Sequence, residues 1–150
     1  MKKLFAPYRV LATLVLASFA ITAHAQLVIE ITKSAEDAVP VAIVPFGWES
    51  TGAAPFDVAE VVAADLKRSG RFDPMDRKEM IDRPSQGDQI RFQDWRYLKT
   101  DFIAVGKLMP EGTGFAAQFE LYNVLTGQRL AGQRLTAQSN SMRALAHRIS

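Results

Sequence analysis

Few side chains in this sequence have the types and spacing that chemistry demands. Past residue 25 it holds a single histidine, His147, and the whole chain has no cysteine. A lone imidazole can act as a general base or metal ligand, but no second ligand stands at metal-binding spacing around His147, so it is read as a helix-surface or packing residue. Asp73, Asp76, Glu79 and Asp82 form an acidic stretch. A calcium loop needs alternating ligand positions and a glycine at its bend; here Arg71, Arg77, Lys78 and Arg83 are interleaved instead, which suits a solvated loop. Gly112-Thr113-Gly114 is too short for a phosphate cradle and reads as a hairpin turn. No P-loop or nucleophile-elbow spacing occurs. The lack of cysteine removes disulfides, thiolate zinc sites, thiol nucleophiles and lipid attachment through a cysteine at a cleavage site. No catalytic residue, metal or cofactor is nominated, and a non-catalytic binding domain is expected. Trp48 and Trp95 have the type of interface anchors, but core packing is the preferred reading for each.

The elements that hold these residues begin after an export signal. Met1–Arg9 carries Lys2, Lys3 and Arg9 without an acid, residues 10–21 (VLATLVLASFAI) are apolar, and Ala23-His24-Ala25 offers the small residues that signal peptidase accepts. Cleavage is expected between Ala25 and Gln26. The apolar run is too short to span a bilayer, so no integral membrane span is expected after cleavage. Without the three signal cations, fifteen basic side chains face sixteen acidic ones. A mature chain of that balance lacks the basic excess of a nucleic-acid or anionic-membrane binder. About 125 residues remain, enough for one domain with its own core.

Residues 41–46 (VAIVPF) are apolar at every position, the mark of a central strand covered on both faces. Asp57 through Glu60 has the form of a helix start, Val58, Val61, Val62 and Leu66 mark one helical face, and Ser69-Gly70 supplies a stop. Arg71–Arg77 reads as a short extended piece broken by Pro74, Lys78–Ile90 as a flexible loop, and Phe92, Trp95 and Leu98 as a short helix. Phe102–Val105 reads as a second buried strand. Residues 115–122 alternate, Thr126-Gly127 turns the chain, and Arg129–Ala137 returns, giving an antiparallel meander. From Ser141 the period becomes helical, with Met142, Leu145, Ala146 and Ile149 on one face. That pattern is still running at Ser150, so the sequence reads as a fragment truncated within its last helix.

Gln26–Thr32 differs in kind. Leu27, Ile29 and Ile31 alternate with Val28, Glu30 and Thr32, and a polar linker without a clear period follows. The segment suits an edge strand of the domain's own sheet, or a mobile strand that adds to a partner's sheet edge. A second ligand could bias one state over the other. The expected organisation is therefore a signal at 1–25, an arm and linker at 26–39, and an α/β domain at 40–150.

Residues 44–48 (VPFGW), 52–77 (GAAPFDVAEVVAADLKRSGRFDPMDR) and 102–108 (FIAVGKL) resemble the N-terminal domain of the TolB family, periplasmic components of the Tol-Pal system of Gram-negative bacteria. The resemblance covers the whole chain, signal included, and is weakest over Asp82–Gln93. It implies an α/β fold, with a mixed β-sheet of about five strands packed against two or three helices. It also implies a following six-bladed propeller that binds the lipoprotein Pal and lies outside these 150 residues. In the family, the mature N-terminus binds the C-terminal domain of TolA, and Pal governs whether that segment is free. Carried over by position, the TolA contact falls on Gln26, Leu27, Val28, Ile29, Glu30, Ile31, Thr32 and Lys33. The implied role is a periplasmic link between TolA and Pal that maintains outer-membrane integrity and constriction at division.

Two other readings compete. The strand, helix and SGRF pattern is also that of outer-membrane lipoprotein accessory domains of the curli-secretion or penicillin-binding-protein-activator type, which are normally anchored through a cysteine this chain lacks. An envelope hydrolase would need a catalytic pair that the sequence does not nominate.

Overall fold

The structure, a computed structural model, describes residues 38–150. β1 (Val39–Ile43) opens the domain, and β2 (Gly47–Trp48) follows Pro45, which cannot donate to a ladder. Next come α1 (Val58–Arg68), β3 (Phe72–Pro74), a 3₁₀ turn at Gly87–Gln89 and α2 (Phe92–Tyr97). Three long strands follow, β4 (Phe102–Glu111), β5 (Gly114–Asn123) and β6 (Arg129–Gln138), and α3 (Met142–His147) ends the described chain. The six strands form one mixed sheet in the order β3-β1-β4-β5-β6, with β2 also beside β4. Both β1 and β2 run parallel to β4; the strand expected over 41–46 leaves the ladder after Ile43, and β2 begins just beyond it. β4, β5 and β6 are the expected antiparallel meander.

Alternation along β1 divides the core. Val41 and Ile43 join Ala104, Leu108 and Ala117 on one face, where Val58, Ala59 and Val62 of α1 and Met142, Leu145 and Ala146 of α3 cover them. Ala42 and Val44 join Ile103, Val105 and Val124 on the other, under Ile90 and Trp95. Trp95 is a core residue, 1% exposed, whereas Trp48 is half-buried and tilts against Phe115 at a ring separation of 5.9 Å.

Lys78–Ile90, expected as a flexible loop, is irregular in backbone but fastened. Pro84 and Ile90 are buried. The amide of Gly87 donates to Glu120 Oε2 at 3.2 Å, and the Tyr122 hydroxyl donates to the same oxygen at 3.1 Å. A side chain on Gly87 would collide with that hydroxyl. Close approach therefore explains the glycine at this point of the segment.

α2 ends in an unusual cap. The amide of Lys99 donates to Arg96 O at 3.0 Å and that of Thr100 to Trp95 O at 3.4 Å, the paired bonds of a Schellman motif. The motif puts its turning residue in the left-handed region, normally filled by glycine, and here Lys99 sits at φ 56°. Lys99→Gly is therefore expected to stabilise the domain by about 1 kcal/mol, relieving left-handed strain at some cost in unfolded-state entropy. A urea midpoint no higher than the parent's would refute it.

Candidate functional site

The expected partner-binding residues, Gln26 through Lys33, and the Ala25–Gln26 cleavage point lie outside the described residues. What the structure shows is the body to which that segment is attached, and how the resembling segments come together in it. Val44-Pro45-Phe46-Gly47-Trp48 and the 102–108 strand are spatial neighbours: Gly47 and Trp48 pair with Lys107 and Leu108, and Gly106 leaves room for the Phe46 ring. A Cβ at Gly106 would lie 2.8 Å from that ring and 2.7 Å from Gln118 O.

The long segment 52–77 is closed on itself. Asp57 caps α1 by accepting from the Glu60 amide at 2.9 Å, and both of its oxygens accept from the Arg77 guanidinium at 2.6 and 2.8 Å. Among the described residues the Glu60 side chain makes no return bond to the cap; Arg77, twenty positions away, is the Asp57 carboxylate's second partner. The Arg77 hydrogen bonds hold Asp57 below its ordinary range of ionisation, and Asp57 in turn raises Arg77.

His147, on α3, pairs through Nδ1 with Asp65 Oδ2 of α1, while the Ser150 hydroxyl donates to the same oxygen at 3.0 Å and Arg68 to Oδ1 at 2.8 Å. This ties the two helices that cover one face of the sheet. The expected surface role of His147 therefore acquires a specific partner. Asp65 was missed although it stands at helical spacing from Val58, Val61 and Val62, a carboxylate on the apolar side of α1, because no local signal points across 82 residues to its partner. The bond to His147 is the largest cause of its lowered pKa. On the other face, burial first and then the bond to Glu120 raise Tyr122 above the usual phenol range.

Among the described residues no cluster of three or more histidine or carboxylate groups is placed to hold a metal, and no helix is long and apolar enough to cross a membrane. The acidic stretch is dispersed: Asp76 caps the Lys78 amide and Asp82 faces Arg91 at 3.4 Å. An apolar hollow of about 330 Å³ lies on the α1 face of the sheet, walled by Val41, Leu66, Phe72, Phe102, Phe119 and Ile149. These arrangements are packing, capping and charge pairing within one mixed α/β module.

Known proteins share this body. A family model for the TolB amino-terminal domain matches residues 27–130, and the chain belongs to that family. The Tol-Pal system protein TolB of Thioalkalivibrio sulfidiphilus is 42% identical over 130 residues, covering 85% of this chain and 30% of the relative. The TolB of Xanthomonas campestris pv. campestris strain B100 is 38% identical over 149 residues, covering 96% of this chain and 34% of the relative. The chain thus spans about a third of the length of the curated relatives it matches. The crystal structure of TolB from Acinetobacter baumannii superposes with a TM-score of 0.63 at 27% identity, over 75% of this chain and 26% of that one. The LpoB C-terminal domain from Salmonella enterica superposes at 0.54 with 13% identity, over 68% of this chain and 83% of that one, a likeness of fold alone.

The two acid pairs set a pH dependence with a definite sign. Both carboxylates ionise below their ordinary 3.8 when folded, so their contribution is complete at neutral pH and is lost as pH falls through the lowered values. Asp57→Asn keeps the cap but removes the ion pair. Its urea midpoint is expected to fall below wild type at neutral pH and to converge with wild type in acid, below the ordinary carboxylate range, where the native carboxylate is itself protonated. A gap that stays constant across that range would show that Asp57 contributes through its shape alone.

Proposed function

We propose that this chain is the partner-binding front domain of a periplasmic Tol-Pal component, relaying between TolA at the inner membrane and Pal at the outer membrane. The family match over residues 27–130, with 42% identity to a Tol-Pal system protein TolB, is the observation that carries it. In this reading the working part is the arm Gln26–Lys33, freed by cleavage after Ala25. Leu27, Ile29 and Ile31 lie on one side of an extended strand and its backbone adds to an open sheet edge of the TolA C-terminal domain. Strand addition needs only unpaired backbone groups and alternating side chains, both of which a seven-residue alternating segment supplies. No reacting group is required, and binding by this segment calls for no catalysis or cofactor. Pal binding belongs to the part of the relatives beyond the matched third, and in the intact protein it would bias the arm between docked and free states.

The fold likeness to the LpoB domain does not favour a lipoprotein role, because 13% identity carries fold and the chain has no cysteine for lipid attachment. Deleting Gln26–Lys33 from the mature chain and titrating it calorimetrically with the TolA C-terminal domain tests the proposal. Binding is expected to disappear while the urea midpoint stays unchanged. Retained affinity would remove the arm from the mechanism.

A further inference from the structure

The two edges of the sheet are finished differently. At one, β3 is three residues long and ends in Pro74, the short, proline-bearing kind of edge that resists pairing with another chain. At the other, β6 runs for ten residues with neither proline nor lysine, and its outer side has no strand partner among the described residues. The bulge at Leu121/Tyr122 leaves Ala131–Gln138 in unbroken register with β5. Arg129 and Arg134 do not guard the edge, because they turn back across the sheet to Glu120 and Glu111 at 3.4 and 2.7 Å. A hollow of about 680 Å³ takes the end of β6 into its wall, together with the β4–β5 turn and one side of α3. Phe115, Ala137 and Leu145 give it an apolar floor, and the exposed Thr136, Gln138 and Arg148 stand at its rim. The Ser139 hydroxyl donates to Thr113 O at 3.1 Å, which fastens the end of β6 to that turn. Charge is divided along the chain as well. All sixteen carboxylates lie at or before Glu120, whereas Arg129, Arg134, Arg143 and Arg148 follow it, so β6 and α3 carry arginines and no acid of their own.

We propose that β6 and the hollow beside it form a docking site for an extended acidic segment of another protein, which pairs with the open edge, places apolar side chains in the hollow and sets carboxylates beside Arg134 and Arg148. The main chain of an edge strand offers its N–H and C=O groups in the spacing that another strand matches. Alternate side chains of such a strand fall on the same face, so those on the α3 side meet the Phe115 and Leu145 floor. Arginines without neighbouring acids on their own elements select a partner of opposite sign. A second copy of this chain would bring arginine against arginine, and self-pairing is disfavoured for that reason. The site uses none of residues 26–33, and the inference stands without the reading above.

The probe is a ten-residue peptide, the length of β6, of alternating valine and glutamate with both ends blocked, titrated against the mature chain by fluorescence anisotropy. It is expected to bind saturably, and a version with lysine for glutamate to bind at least about tenfold more weakly. Amides of alternate residues point to the same side of a strand. Methylating the nitrogens of all valines or of all glutamates is therefore expected to abolish binding for one set and to spare it for the other. Arg134→Gln with Arg148→Gln changes two exposed positions and is expected to keep the fold while weakening binding about fivefold or more. Deleting Gln26–Lys33 is expected to leave binding of the peptide unchanged. A valine–glutamate peptide that does not bind, a lysine peptide that binds equally, two methylated sets that behave alike, a double variant that binds like the parent, or binding lost with Gln26–Lys33 each overturns the site. A mature chain that sediments as a dimer, split into monomers by the peptide, gives the edge to a second copy and overturns the choice of partner.

Discussion

The parallel pairing of β1 with β4 is the constraint on which the rest of the structure depends. Val41, Ala42 and Ile43 align with Phe102, Ile103 and Ala104, all near the centre of the sheet. Parallel neighbours cannot be joined by a tight turn, so the chain must leave the sheet after β1 and return. That crossover contains α1, β3, the Lys78–Ile90 segment and α2, which supply most of the cover for both faces. The obligation is written in the side chains: Ala42, Val44, Ile103 and Val105 are completely buried on one face while Val41 and Ile43 are nearly so on the other. A strand that is apolar at every position has to be covered twice. α3 then adds to the α1 side after the meander has returned the chain to the sheet edge.

The two covers are fastened by different means. On the helical side the join is local to side chains, with Asp57 held by Arg77 at the start of α1 and Asp65 by His147 near its end. Both pairs are partly exposed, so each adds little to stability by itself; their effect is to fix where α1 lies over the sheet. On the other side much of the cover is not helical, and its backbone must find partners one group at a time. Met75 donates to Val41 O, Gly87 to the Glu120 carboxylate and Asp101 to Pro40 O. Thr100 is the exception: 4% exposed, its hydroxyl has no hydrogen-bond partner among the described residues.

What could be read in advance follows from range. The doubly buried strand, the Asp57 cap, the meander and the apolar face of α3 are all written within a few residues, as period, cap or turn, and the structure carries each of them. The Asp57–Arg77 pair, the Asp65–His147 pair and the glutamate beneath Gly87 join positions 20, 82 and 33 apart, and no local pattern encodes such a distance. Lys78–Ile90 was misjudged for the same reason: proline, glycine and charge suggested looseness, and the contacts that hold it come from β5. Lys99 breaks the usual rule for its cap, so a reader looking for glycine after α2 finds no stop there.

The strand-addition proposal asks two tasks of neighbouring parts of one chain. A segment able to join another protein's sheet has to be unpaired beforehand, and ordering it on binding costs on the order of 1 kcal/mol or more per residue. A short arm recovers that cost through few contacts, so its affinity alone is limited. The central strand is a suitable anchor, because β1 is hydrogen-bonded on both edges, to β3 and β4, and packed on both faces. On the strand-addition proposal, this support lies directly after the residues that would bind.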